Sequence, residues 1–131
     1  MDASDAICKC DPDTTTLIAR GVQLDAVPAC ISRLIALEGL NLSNNKIAKI
    51  ENLDALGKLE YLDLANNKIG KIEGLDALGN LKILYLDDNK IEKIENLDAL
   101  GKLEYLGLKI NKIPACECKA FKKSAAYKVY C

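Results

Sequence analysis

Six cysteines carry most of the chemistry this chain could perform, and all six lie near its ends: Cys8, Cys10 and Cys30 at one, Cys116, Cys118 and Cys131 at the other. Each end holds a C-x-C pair and a third, more distant cysteine. Thiols in this pattern can pair as disulfides, bind zinc or carry out redox exchange. Zinc wants four ligands, whereas each end offers three and the chain has no His. Redox catalysis needs a base or a thioredoxin-like setting around the C-x-C, and neither is present. Disulfides therefore lead, with reduced thiols of a cytosolic protein as the other reading.

Between these ends the sequence repeats itself. Leu37, Leu59, Leu81 and Leu103 form one column at a period of 22 residues, and Leu40, Leu62, Leu84 and Leu106 the next. Leu42, Leu64, Leu86 and Leu108 follow, then Asn45, Asn67, Asn89 and Asn111, then Ile47, Ile69, Ile91 and Ile113. Ile50, Ile72 and Ile94 continue the frame, with Leu53, Leu75 and Leu97 and then Leu56, Leu78 and Leu100 behind them. Such self-similarity marks a solenoid, whose units bury their apolar edges only against their neighbours. The "LxLxx" piece alternates with period two, so its leucines should point inward from short parallel strands on a concave face. Each Asn falls where the chain turns inward, and there its amide can satisfy buried backbone groups. The "IENLDALG" half is too short for a long helix and should form 3₁₀ or irregular turns closed by Gly.

The pattern L-x-x-L-x-L-x-x-N-x-I from Leu37 to Ile113 resembles the leucine-rich repeat, and its second half is similar to the 22-residue subclass seen in a type-one phosphatase regulator and in internalins. That resemblance implies an α/β-type solenoid, parallel strands inside and 3₁₀ or irregular turns outside, that binds other proteins. "TLIARGVQLDAVPACISRLIAL" reads as a degenerate first unit, giving about five coils. The beginning "CKCDPDTTT" and the finish "IPACECKAF" resemble the cysteine-bearing caps of extracellular leucine-rich repeat proteins, with three cysteines at each end where such caps usually carry four. Three regions follow: an N-terminal cap and degenerate repeat over 1–36, regular repeats over 37–113, and a C-terminal cap over 114–131.

Five coils stacked at about 4.8 Å hold the two ends at least about 20 Å apart, and a disulfide needs its Cα atoms within about 7 Å. No bridge can join the ends of one copy, and three thiols at one end cannot all pair. Cys30 is expected to pair with Cys8 or Cys10, and Cys131 with Cys116 or Cys118. The leftover thiols would face a neighbouring molecule, and a head-to-tail contact whose rotation does not close gives an open filament.

The outward strand positions are the other candidate site. One column holds Gly39, Tyr61, Ile83 and Tyr105, a second Asn41, Asp63, Tyr85 and Gly107, a third Ser43, Ala65, Asp87 and Lys109. Tyr61, Ile83, Tyr85 and Tyr105 should make an aromatic–aliphatic patch, with Asp63, Asp87 and Lys109 beside it, able to anchor a protein partner. The same residues could instead serve only as cross-strand stacking. Lys46, Lys68, Lys90 and Lys112 form a basic ladder beside acidic ones such as Glu51, Glu73 and Glu95, a solvated face of weak pairs. Asn41-Leu42-Ser43 is a glycosylation sequon, relevant if the chain is exported. Phe121 and Tyr127 in the basic tail should fold back over the last coil.

The formal net charge is −1, and no basic stripe suited to nucleic acid exists. No apolar run approaches the roughly 20 residues of a membrane span. "MDASDAICKC" has no signal-peptide pattern, so cap cysteines favour an extracellular setting and reduced thiols would favour the cytoplasm. No titratable cluster, nucleophile–base pair or phosphate loop is visible, and no cofactor is expected. The sequence thus points to a non-enzymatic protein-interaction module, joining copies of itself end to end. The alternative is a monomeric receptor-like or cytoplasmic adaptor gripping another protein on its concave face.

Overall fold

Each regular coil buries its leucines and isoleucines on one side of a three-residue strand and along the turn that follows. In a computed structural model, which describes residues 2–131, the strands β1 (Thr16–Ile18), β2 (Gly39–Asn41), β3 (Tyr61–Asp63), β4 (Ile83–Tyr85), β5 (Tyr105–Gly107) and β6 (Lys128–Tyr130) form one sheet in chain order. Every pairing is parallel. The central residue of each inner strand, Leu40, Leu62, Leu84 or Leu106, is fully buried, while its neighbours line the concave surface. Leu42, Leu64, Leu86, Ile47, Ile69 and Ile91 extend the same core. A core of aliphatic layers needs few aromatics, which fits a chain with one Phe and no Trp.

The Asn column is a hydrogen-bond ladder that stitches each coil to the one before it. Asn67 Nδ2 donates to Leu42 O of the preceding coil at 3.0 Å and to Leu64 O of its own at 3.1 Å, while its Oδ1 accepts from Ile47 N at 3.0 Å. Asn89 and Asn111 repeat the pattern, accepting from Ile69 N and Ile91 N. Asn45 accepts from Val22 N and Leu24 N of the degenerate unit. Among the described residues no buried side-chain polar atom lacks a partner.

Two expectations are corrected. The first concerns the tail: Phe121 and Tyr127 do pack against the core, but the chain then goes on as a sixth strand of the sheet, Lys128–Tyr130, which pairs with β5. Val129 points inward and is buried, with Lys128 and Tyr130 outward, the same alternation as in the coils. Thr16 pairs with Gly39, and Tyr105 with Lys128, so the first and last spacings are each one residue longer than the inner ones. The second correction concerns the convex turns, which Gly57, Gly79 and Gly101 do not close with left-handed backbone. Positive φ falls instead at Asn52, Gly74 and Asn96. Asn52 Nδ2 donates to Val27 O and Asn96 Nδ2 to Ile72 O, a second ladder on the convex side. At Gly74 a Cβ would meet Ile50 O at 2.5 Å.

Helices close both ends. α1 (Ala3–Cys8) starts where the Asp2 carboxylate accepts from Asp5 N at 2.9 Å and buries Ile7 against the 3₁₀ turn Ala29–Arg33, which begins after Pro28. α2 (Ala115–Ser124) begins after Pro114 and carries Glu117 in its first turn and Lys122 and Lys123 in its last, the charge order a helix dipole favours.

Candidate functional site

The concave surface is a zigzag of tyrosines set by the parallel register. Tyr61, Ile83 and Tyr105 share one row, and Tyr85 and Tyr130 stand in the next. Ring centroids lie 5.8 Å apart for Tyr61–Tyr85, 5.1 Å for Tyr85–Tyr105 and 4.9 Å for Tyr105–Tyr130, within the range where aromatic pairs attract. Four of the five tyrosines therefore form one continuous stack. Tyr130 belongs to this face although only the first three were expected there. The alternation in "YKVY" was the available signal.

Carboxylates flank the rings. Tyr61 Oη donates to Asp63 Oδ2 at 3.2 Å, and Asp63 Oδ1 caps the strand end by accepting from Ala65 N at 2.9 Å. Burial, then the charge of Asp63, pushes the Tyr61 phenol up to about 12. Burial also raises Tyr105, with Tyr85 and Asp87 adding to it. Gly107 lets Asp87 lean across the next strand, where its Oδ1 accepts from Lys109 N at 3.0 Å. Lys109 Nζ sits 5.7 Å from the centre of the Tyr130 ring. Tyr61, Asp63, Ile83, Tyr85, Asp87 and Tyr105 are half-buried and Lys109 is exposed, so the expected patch residues do come together. Asn41 lies on the same face, its Oδ1 accepting from Ser43 N at 3.0 Å and Ser43 Oγ at 2.7 Å, and Ser43 is buried.

The cysteines sort into two bridges and two thiols. Cys8 pairs with Cys30, Cα atoms 5.3 Å apart, tying α1 to the 3₁₀ turn; Arg33 also donates to Cys8 O. Cys118 pairs with Cys131, Cα atoms 6.3 Å apart, tying α2 to the residue after β6. Cys10 and Cys116 stay free. Cys10 is half-buried, its Sγ 3.6 Å from Ala6 O, whereas Cys116 is exposed on the first turn of α2.

Both ends of the solenoid remain partly open. At the first coil Ile18 is 70 % exposed and borders a recess of about 180 Å³ formed with Gly39 and Tyr61. At the last coil Ile110 is 76 % exposed and borders a recess of about 380 Å³ between Ile113, Ala115 and Lys122. Ile110 has φ of 57° in a column otherwise filled by Asn44, Asn66 and Asp88, residue types that tolerate left-handed backbone where a β-branched side chain is strained. Among the described residues no group of three or more His, Cys, Asp and Glu could hold a metal ion, and no helix is long and apolar enough to cross a membrane.

Stacked parallel strands, an inward Leu lattice and an Asn ladder are the architecture of a leucine-rich repeat solenoid. The family model for Leucine Rich repeats (2 copies) matches residues 35–77. An internalin C2 from Listeria monocytogenes is similar over 99% of this chain and 54% of its own, with 28% identity and a TM-score of 0.81. TLR13, in a structure of its complex with ssRNA13, is similar over 99% of this chain and 20% of its own, at 28% identity and a TM-score of 0.84. A leucine-rich repeat protein of Leptospira interrogans matches over 82% of this chain and 28% of its own, at 28% identity and a TM-score of 0.75. The chain thus spans about half or less of these relatives. No curated protein matches the sequence. Its fold suggests a protein–protein interaction module.

Proposed function

We propose that this chain is a non-enzymatic structural module that joins copies of itself end to end. The observation that carries the reading is the division of the cysteines: each end spends two on its own bridge and keeps one thiol, Cys10 at the first coil and Cys116 at the last. Oxidation of Cys116 of one copy with Cys10 of the next forms one S–S bond, releasing two protons and passing two electrons to an oxidant such as a small-molecule disulfide. The contact is heterologous, because it uses two different surfaces, and repeats into a filament where the rotation does not close. Oxidised caps suit an extracellular setting. Non-reducing electrophoresis should give a ladder that collapses with reductant and is lost in Cys10→Ser or Cys116→Ser. A single band in both conditions, with only single particles by electron microscopy, rules the reading out.

The tyrosine stack favours a second reading, in which the concave face grips another protein through Tyr61, Asp63, Ile83, Tyr85, Asp87, Tyr105 and Lys109. Half-exposed tyrosines beside charged residues are the composition of an interface anchor. Tyr85→Ala would then abolish partner binding and leave the cysteine ladder intact.

A further inference from the structure

The sheet has two unfinished edges, and they fit each other. Within the chain, the earlier strand of each pair presents its inward-pointing residues to the later one. Ala19 N–H donates to Asn41 O, Leu42 to Asp63, Leu64 to Tyr85, Leu86 to Gly107 and Leu108 to Tyr130. By the same rule β6 turns the N–H and C=O of Val129 away from β5, and β1 turns those of Thr16 and Ile18 away from β2. β1 and β6 are the outer strands of the sheet, so by that alternation these groups face away from the neighbouring strand of their own chain. The outward edge of β6 therefore carries what an earlier strand offers, and the outward edge of β1 what a later strand accepts.

We infer that copies join by adding β6 of one to β1 of the next as a parallel strand pair, with Val129 facing Leu17, Lys128 facing Thr16 and Tyr130 facing Ile18 of the second copy. Val129 N–H would donate to Thr16 O and Ile18 N–H to Val129 O, the geometry of every junction already in the sheet. Both inward side chains are aliphatic, and the half-buried Leu17 would gain cover. The exposed Ile18 would continue the aromatic row beyond Tyr130. Charge supports a second copy as the occupant: the first 25 residues carry Asp2, Asp5, Asp11, Asp13 and Asp25 against Lys9 and Arg20, while the C-terminal cap carries Lys119, Lys122, Lys123 and Lys128 against Glu117. The inference rests on the end-to-end reading and specifies the joint it uses. Exposed strand edges are natural templates for such addition.

The test uses the full chain with Cys10→Ser and Cys116→Ser, which keeps both cap disulfides and isolates the non-covalent joint. Sedimentation velocity over a concentration series should show association, weakened by added salt. Ile18→Pro removes an N–H that points to solvent in the lone protomer, a place where an edge strand tolerates proline. It should raise the concentration for half-assembly by about tenfold or more, with an unchanged far-UV spectrum. As a second measurement, Thr16→Cys with Lys128→Cys in the same background should give an intermolecular disulfide ladder, while Thr16→Cys with Tyr130→Cys should give much less. Association that Ile18→Pro does not weaken, or a ladder without that register preference, overturns the strand joint and leaves end-to-end assembly standing. A parent that stays monomeric at every concentration and redox state overturns both.

Discussion

The two ends of the solenoid are built from the same parts, a helix followed by an edge strand and one disulfide, but they are closed differently. At the N-terminal end the helix comes first, and α1 lies on a coil whose convex turn keeps the repeat line: Ile31 and Leu34 are fully buried and Val27 nearly so. At the C-terminal end α2 interrupts the line before β6 is laid down. The last coil there leaks to solvent: Leu97, Leu100 and Leu103 keep 8%, 4% and 6% exposure and Ile94 is half-buried, whereas Leu53, Leu56 and Leu59 have none. One bridge at each end compensates differently. Cys8–Cys30 fastens a helix to a coil that is already covered, while Cys118–Cys131 closes the lid and anchors the last strand together. A solenoid end can thus be finished by packing or by covalent closure, and this chain uses one of each as its main device.

The largest effect expected from that contrast is in the layers between the ends. Leu62→Ala should cost about 4 kcal/mol in urea unfolding, because coils on both sides hold the cavity open, while Leu100→Ala, where the coil can relax, should cost about 2 kcal/mol. Replacing Cys118 and Cys131 by Ser should cost about 3 kcal/mol and expose the Lys128–Tyr130 amides to hydrogen exchange. The matching change at Cys8 and Cys30 should leave β1 protected. Equal exchange at the two ends would erase the distinction.

Smaller changes sharpen it. Asn67→Ala orphans Ile47 N–H in the interior, while Leu42 O and Leu64 O keep the amides of Asn45 and Asn89, and should cost about 2 kcal/mol, against about 1 kcal/mol for the half-exposed Asn111→Ala. Ile110→Asn should stabilise the chain by about 1 kcal/mol, relieving the left-handed strain of a β-branched residue in the last coil. The smallest effect is in pH. A phenol whose folded pKa lies above its unfolded value of 10 stabilises the fold fully below about pH 10, and that contribution fades as pH rises toward about 12. Absorbance titration should show a late tyrosine phase whose amplitude Tyr61→Phe reduces.

How far these features could be read in advance depended on repetition. The Leu and Asn columns were legible because four near copies demand the same burial at the same place, and the concave rows follow from strand alternation. β6 was hidden because "KVY" occurs once, beside lysines, and its pairing depends on α2 and a bridge to bring it back. The convex Asn52–Gly74–Asn96 column was missed because Gly interrupts it, although all three share left-handed backbone. The choice of Cys8 over Cys10 was open in the sequence, since both lie two residues apart within reach of Cys30. α1 decides it by carrying Cys8 to the 3₁₀ turn and turning Cys10 Sγ toward Ala6 O.

The Asn ladder also runs in one direction. Ile47, Ile69 and Ile91 each have their amide hydrogen accepted by an Asn that occurs 20 residues later. A coil emerging during synthesis is therefore incomplete until its successor appears, and shortening the chain from the far side always orphans the newest remaining layer. Growth from the first residue onward finishes each storey only when the next one is built upon it.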